Sequence, residues 1–384
     1  MYGDAKRLIE DAVDAGVFPA AVVEVGNAAG SQWSYAAGAI ANDSCERTVS
    51  PDTIFDLASL TKVIATTTLA IRQVDTSLLD LDCPIEKSFP AWHSKDRKVV
   101  TARDLLSHSS GLPAHVPLFR NHNGRDEFEN AICSMPLVYR PRTQSIYSDL
   151  GFILLGLLLT DRVPDAQPLD LQFGCVAKDR NWGNICFRPP PSWLGRTAPT
   201  EQDDWRGRLL RGEVHDENCF ALGGVSGHAG LFGTAMSVGA FARDTLRAIF
   251  GDTTFAKPET VRVFCRRSSV PGSSRALGWD TMLPTSSCGR WMSDESFGHT
   301  GFTGTSLWID PLQNTYVVLL TNRVNPTRDN TGIKDFRPAL HDAIMRKRQS
   351  LPLDLLRLTG SCFLRRCSDR SYSVFCDQSC LAGT

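Results

Sequence analysis

The strongest constraint on the fold is where the two kinds of periodicity fall along the chain. Segments patterned as strands stand at both ends, and segments patterned as helices fill the middle. Near the N-terminus, "PAAVVEVGN" (19–27) and "SQWSYAAG" (31–38) are short β-rich runs around a Gly/Asn turn. In the final third, "FGHTGFTGTSLWIDP" and "NTYVVLLTNR" predict neighbouring antiparallel strands joined at Pro311–Asn314. Between them lie predicted helices from about Ser59 to Val74, over 101–112 (Thr101 as N-cap, Gly111 as C-cap), over 147–162 and from about 236 to 250. Further helices are expected over 4–15, stopped by Gly16, and near 335–348.

A sheet cannot be left half-built at either end. The pattern therefore predicts an α/β fold: a central antiparallel sheet flanked by helices, assembled from both termini, with a mostly helical domain inserted. The expected division is 1–65 with 236–350 for the α/β domain and 66–235 for the insertion. The stretch 163–215, centred on "RPPPSWLGR", is expected to be irregular and, with the 113–130 loop, to shape a cleft. Residues 351–384 have a different cysteine density and no clear periodicity, so they read as an atypical tail, disordered or foreign to the fold.

Composition excludes several classes. A formal net charge of -1 supplies no basic field for nucleic acid or anionic membrane, so neither is expected as a partner. "MYGDAKRLIEDAVDAG" has no apolar h-region, and "LGFILLGLLLT" is too short to span a bilayer. Both point to a cytoplasmic protein. Of twelve cysteines, four (Cys362, Cys367, Cys376, Cys380) crowd the tail without a CxxC pair or a histidine, which is a poor zinc pattern.

The chemistry centres on "SLTK". Ser59 and Lys62 are spaced i, i+3, so on one helical turn they share a face. A serine hydroxyl needs a base before it attacks. A helix N-terminus favours the negative charge that then develops. Burial, or a second cation nearby, is expected to lower the Lys62 pKa and free it as a base. The plainer alternative is an N-cap serine beside a surface lysine. "YSD" supplies Tyr147 and Asp149 at the start of a buried helix, where both can point into a cleft. "HTG" supplies His299, Thr300 and Gly301 at the head of a strand. Its glycine permits close backbone approach, and the N–H just beyond it can pair with that of Ser59 as an oxyanion hole. A helix-capping acid and a glycine-containing strand are the alternatives for these two.

SxxK, then Tyr-x-Asp/Asn about 85 residues on, then [KH]-T-G on a C-terminal strand, resembles the layout of the penicillin-recognising serine hydrolases. The branch it resembles has tyrosine in the middle motif: class C β-lactamases, D-alanyl-D-alanine carboxypeptidases and family VIII carboxylesterases. "DTIFDLASLTKVIATTTLAI", "VTARDLLSHSSGLP", "YSDLGFILLGLLL" and "GHTGFTGTSLWIDP" carry the likeness, which runs from about residue 5 to 348.

The resemblance implies a β-lactamase/transpeptidase-like fold. It makes Ser59 the acylated nucleophile, with Lys62 and Tyr147 sharing the base role. It also implies backbone N–H groups of Ser59 and Phe302 as the oxyanion hole, and Asp149, His299, Thr300 and Gly301 as substrate-binding residues. No cofactor or metal is implied.

Two residues depart from the pattern. Asp149 stands where β-lactamases usually carry asparagine, and can pair with Lys62. His299 stands in place of lysine and, mostly neutral near pH 7, holds a substrate carboxylate more weakly. The leading expectation is therefore a serine carboxylesterase of the family VIII type, cleaving short-acyl esters. One alternative is a D,D-peptidase or muropeptide amidase, acting on peptidoglycan-derived peptide with side activity on a β-lactam. Another is a catalytically silent binding protein. "VHDENCFALGGVSGHAGLF" adds His215 and His228, read as structural hydrogen-bonding residues. Ser226 lacks the final glycine of a G-x-S-x-G elbow, which disfavours it as a nucleophile.

Overall fold

The computed structural model describes residues 2–42 and 45–349, together with the segments 364–366 and 372–374. The remainder of the tail, with its four cysteines, lies outside the described residues. The two short segments Leu364–Arg366 and Tyr372–Val374 pair antiparallel.

A seven-stranded sheet dominates, in the order Cys45–Thr48, Ser31–Asn42, Ala20–Gly26, Thr315–Thr321, Ser306–Asp310, Phe297–Thr300, Asp280–Thr281. All neighbouring pairs are antiparallel. The first and last thirds of the chain meet at its centre, where Val22 stands opposite Leu320 and Val23 opposite Leu319. Helices cover both faces. Ala21, Val23 and Val25 pack on one side with Ile9, Leu340 and Ile344, from the helices Gly3–Asp14 and Ile333–Gln349. Ala20, Val22 and Leu320 pack on the other with Val238 and Phe241 of the helix Ala235–Ile249. That is why Ala20–Gly26 is apolar at nearly every position rather than alternating. The expected α/β class and antiparallel sheet are the ones observed.

Away from the sheet, the helix Asp149–Asp161 is buried nearly all round through Leu150, Phe152, Ile153, Leu154, Leu155, Leu158 and Leu159. It also receives a backbone loop at close range. A Cβ on Gly227 would stand 2.1 Å from the Phe152 carbonyl oxygen, and one on Gly156 would stand 2.8 Å from the Gly227 nitrogen. Only glycine at both positions lets the 226–229 loop pass so near the helix.

Several local expectations are corrected. The helix predicted from about Ser59 is present over 60–75, but it is not α-helical throughout: Lys62–Thr67 is a π-helical stretch, followed by the α-helix Thr68–Asp75. Ser59 sits in the tight turn before it. The helix predicted over 101–112 closes at Leu106. Its Thr101–Asp104 capping box is present, but His108 takes a left-handed φ of 56° and turns the chain away. "FGHTGFTGTSLWIDP" is two strands, turned at 301–305 with Gly304 at φ 111°. The stretch 163–215 is not irregular throughout. It contains the helix Leu169–Asp179, which buries Leu169, Phe173, Val176 and Ala177, and the strand Ile185–Phe187. Proline and glycine on both flanks hid that apolar face from a reading by composition. Among the described residues, no helix is long and apolar enough to cross a membrane.

Candidate active site

The turn carrying Ser59 is held by its neighbours. Asp56 accepts the Ala58 N–H at 2.8 Å, and the Thr61 hydroxyl donates to the Ala58 carbonyl at 2.6 Å. Ala58 takes φ 47°, a left-handed conformation that throws Ser59 outward. From across the sheet the 301–305 turn is fastened to the same segment. The Thr303 hydroxyl donates to the Asp56 carbonyl at 2.8 Å, and that of Thr305 to the Leu57 carbonyl at 3.1 Å. A Cβ on Gly301 would stand 2.7 Å from the Leu57 carbonyl oxygen, so only glycine allows the contact. The N–H groups of Ser59 and Phe302 donate to no protein acceptor among the described residues. Both residues line one cavity of about 540 Å³.

Lys62 is fully buried. Its Nζ donates to Ser59 Oγ at 3.1 Å, to Asp149 Oδ1 at 2.8 Å and to the His228 carbonyl at 3.0 Å. Three acceptors match the three donors of an ammonium. Burial pushes the Lys62 pKa down, but the Asp149 carboxylate and Tyr147 push it up and prevail. This overturns the expectation of a lysine freed as a base: burial works in the expected direction and its counter-ion outweighs it. Burial likewise works to raise Asp149, yet Lys62 and His115 hold it well below the usual carboxylate range.

Tyr147 lies between cations. Lys62 Nζ is 4.8 Å and the Arg275 guanidinium 5.0 Å from its ring centroid. The Lys62 and Ser59 side chains beside its hydroxyl work to lower its pKa. Burial nevertheless keeps its pKa above that of a free phenol, against the pull of Lys62. The His108 ring packs behind it at 4.7 Å, and the His108 Nδ1 accepts the Ser148 N–H at 3.0 Å.

His299, Thr300 and Gly301 all line the cavity. His299 Nδ1 lies 2.8 Å from the Thr300 carbonyl oxygen, which can only accept, so Nδ1 carries the proton. Nε2 is left as a bare acceptor with no partner among the described residues. Burial, and the charges of Arg275 and Lys62, keep the ring neutral.

His228 and His215 lie in hydrogen-bonded chains. His228 bridges Ser226 Oγ and Asp216 Oδ1, each at 2.8 Å, which fixes the backbone carbonyl that Lys62 uses. Ser226 is buried and does not line the cavity. His215 pairs with Glu201 at 2.7 Å and stacks on the Phe302 ring. Among the described residues, no group of three or more histidine, cysteine or acidic side chains is placed to hold a metal ion.

Residues with no motif around them complete the cavity: His115, Arg275, Arg323, Lys334 and Arg337. Of the two stretches expected to shape the cleft, 113–130 contributes His115 and 163–215 contributes His215. Most of the wall comes instead from 275–337.

A serine bonded to a buried lysine, on an antiparallel sheet with helices on both faces, defines a serine hydrolase of the β-lactamase type. Residues 5–339 match the family model described as Beta-lactamase, and the chain belongs to that family. It is 31% identical over 306 residues to a putative D-alanyl-D-alanine carboxypeptidase of Escherichia coli (strain K12), covering 71% of this chain and 69% of that one. The solved structure of a class C β-lactamase from Rhodobacter sphaeroides superposes with a TM-score of 0.70 at 20% identity, covering 89% of this chain and 99% of the other. EstCE1, titled a hydrolase with promiscuous acyltransferase activity, superposes with a TM-score of 0.69 at 21% identity, covering 89% and 97%. At these identities the two structures speak for the fold.

Proposed function

We propose that the protein hydrolyses acyl compounds that carry a carboxylate near the scissile bond, of the D-alanyl-D-alanine peptide class, through an acyl-enzyme on Ser59. One observation carries the substrate side. Arg275 lies against Tyr147 in the cavity, and no carboxylate stands within ion-pair distance of it among the described residues. A guanidinium free to make bidentate bonds suits a carboxylate better than a neutral ester does. This departs from the expectation of a short-acyl esterase. The ester reading keeps one supporting observation: His299 is neutral, so the third motif itself supplies no cation.

Lys62 and Tyr147 act as a pair that must be one proton short of full protonation. The three acceptors around Lys62 Nζ keep the shared proton on the amine, so the base is the Tyr147 phenolate. Ser59 Oγ bonds to the substrate carbonyl carbon while its proton passes to Tyr147. The carbonyl π pair moves onto oxygen, facing the Ser59 and Phe302 N–H groups. Collapse breaks the bond to the leaving amine, which takes the proton from Tyr147. Water then repeats the sequence on the acyl-enzyme and restores Ser59.

The test is a panel of D-Ala-D-Ala peptide, p-nitrophenyl acetate and butyrate, and nitrocefin. Wild type should turn over the peptide, and Ser59→Ala should be inert. Arg275→Ala should raise KM for the peptide by about tenfold or more while sparing the neutral esters. Equal ester and peptide losses in Arg275→Ala would refute the carboxylate reading. Equal rates for wild type and Ser59→Ala would refute the mechanism.

A further inference from the structure

Arg337 sits near the start of the helix Ile333–Gln349, 8% exposed. No carboxylate pairs with it among the described residues. Burying a guanidinium without a counter-ion costs several kcal/mol, and an apolar side chain of similar volume would pack at no such cost. The site it reaches therefore needs an explanation beyond packing.

Its Nη2 donates to the Gly301 carbonyl and to the Thr305 carbonyl, each at 2.8 Å. The Gly301 carbonyl and the Phe302 N–H are the two ends of one planar trans peptide unit and point in opposite directions. A donor that fixes the carbonyl therefore fixes the direction of the N–H. A cation on that oxygen also draws electron density through the amide and makes its N–H a stronger donor. The next peptide is held in a similar way: Arg323 Nε donates to the Phe302 carbonyl at 2.8 Å, with its guanidinium 4.5 Å from the Phe302 ring centroid. Gly304 N–H adds a weaker bond to the Gly301 carbonyl at 3.2 Å.

We propose that Arg337 is a positioning residue for the oxyanion hole, aligning and polarising the Gly301–Phe302 peptide through its carbonyl oxygen. This rests on the reading of Ser59 and Phe302 given above. The burial of Arg337 is then part of the design. In a dry setting its charge acts on one peptide with little screening, and it strengthens the N–H most when charge develops on the substrate oxygen. Burial, with Arg323 nearby, lowers the Arg337 pKa to about 10, which still leaves a cation at neutral pH.

The experiment compares wild type, Arg337→Gln and Arg337→Lys. A fluorophosphonate probe first reports whether Ser59 is labelled in wild type. Steady-state kinetics on the best substrate of the panel and the affinity for phenylboronic acid follow; the boronate forms a tetrahedral, negatively charged adduct on serine. In Arg337→Gln, kcat should fall by about 10- to 100-fold with KM nearly unchanged. Boronate affinity should fall in parallel, and Arg337→Lys should recover part of both. An Arg337→Gln protein with wild-type kcat and boronate affinity overturns the proposal, as does a loss of KM and kcat together that lysine does not relieve. Should Arg337→Gln fail to fold, Arg337→Lys decides: its side chain is shorter and does not carry the ammonium to the position of Nη2, so weakened boronate binding is expected and wild-type binding overturns the proposal. No labelling of wild-type Ser59 would instead overturn the parent reading.

Discussion

Replacing Asp149 with asparagine isolates the electrostatics of the base. The carboxylate lies 2.8 Å from Lys62 Nζ, and Lys62 is fully buried. A pair of unit charges about 4 Å apart at an effective dielectric of about 20 interacts by about 4 kcal/mol. Desolvation of both groups offsets part of this, and opposite charges at such range shift a pKa by about 1–3 units. That is about 1.4–4 kcal/mol at 1.36 kcal/mol per unit. In wild type both Lys62 and Tyr147 titrate above their ordinary values, so the Lys62–Tyr147 pair loses its first proton only at alkaline pH. Activity should therefore rise with pH. Asp149→Asn removes the charge that raises Lys62, so the rising limb of kcat/KM should move down by about 1–3 pH units. The amide still accepts a hydrogen bond from Lys62, so the geometry is kept. The assay is kcat/KM between mildly acidic and strongly alkaline pH, with Ser59 labelling as a check on folding. A limb that stays in place or moves up would refute the assignment of the proton to the Lys62–Tyr147 pair.

Two further substitutions probe the frame around the site. Gly301→Ala puts a Cβ 2.0 Å from Thr305 Oγ1 and 2.7 Å from the Leu57 carbonyl oxygen, so the 301–305 turn must shift. A misplacement near 1 Å costs about 10²-fold in rate, whereas overpacking costs about 1–3 kcal/mol in stability. The expected result is a protein that melts cooperatively, a few degrees lower, with little activity; full kcat would show that the turn does not set the oxyanion donors. Asp244→Ala removes the acceptor shared by Arg180 Nε at 2.9 Å and Trp182 Nε1 at 2.8 Å, where Trp182 is 1% exposed. Stability should fall by about 3 kcal/mol, seen as a lower urea midpoint at constant slope, and an unchanged midpoint would contradict the count of unsatisfied donors.

The legible part of the site was the part built locally or carried by a family pattern. Ser59 and Lys62 meet because they are three residues apart, and the 3.1 Å bond forms even though Ser59 lies in the turn just before the helix and Lys62 opens a π-helical stretch. Tyr147 and "HTG" were found through their order along the chain, and the structure brings both to the same cavity. The ionisation of Lys62 was misread. Its direction depends on a carboxylate 87 residues away and on the depth of burial, neither of which a spacing encodes. Arg275 and Arg337 carried no signal at all, because an arginine in a loop and one in an amphipathic helix look like solvated charges until the packing is known.

The sequence by itself determined the elements whose causes are short-range: apolar strands at both ends, a largely apolar central helix, an N-cap at Thr101 and a hydroxyl–amine pair on one turn. It also determined membership of a serine hydrolase family, because three spaced motifs in order leave few other folds. Only the tertiary structure decided where the proton rests, which cation faces the substrate and what holds the Phe302 peptide. Those properties are sums of Coulomb and desolvation terms over groups far apart in the chain. They come into being when the two ends of the sheet close around the middle and exclude water from Lys62 and Arg337.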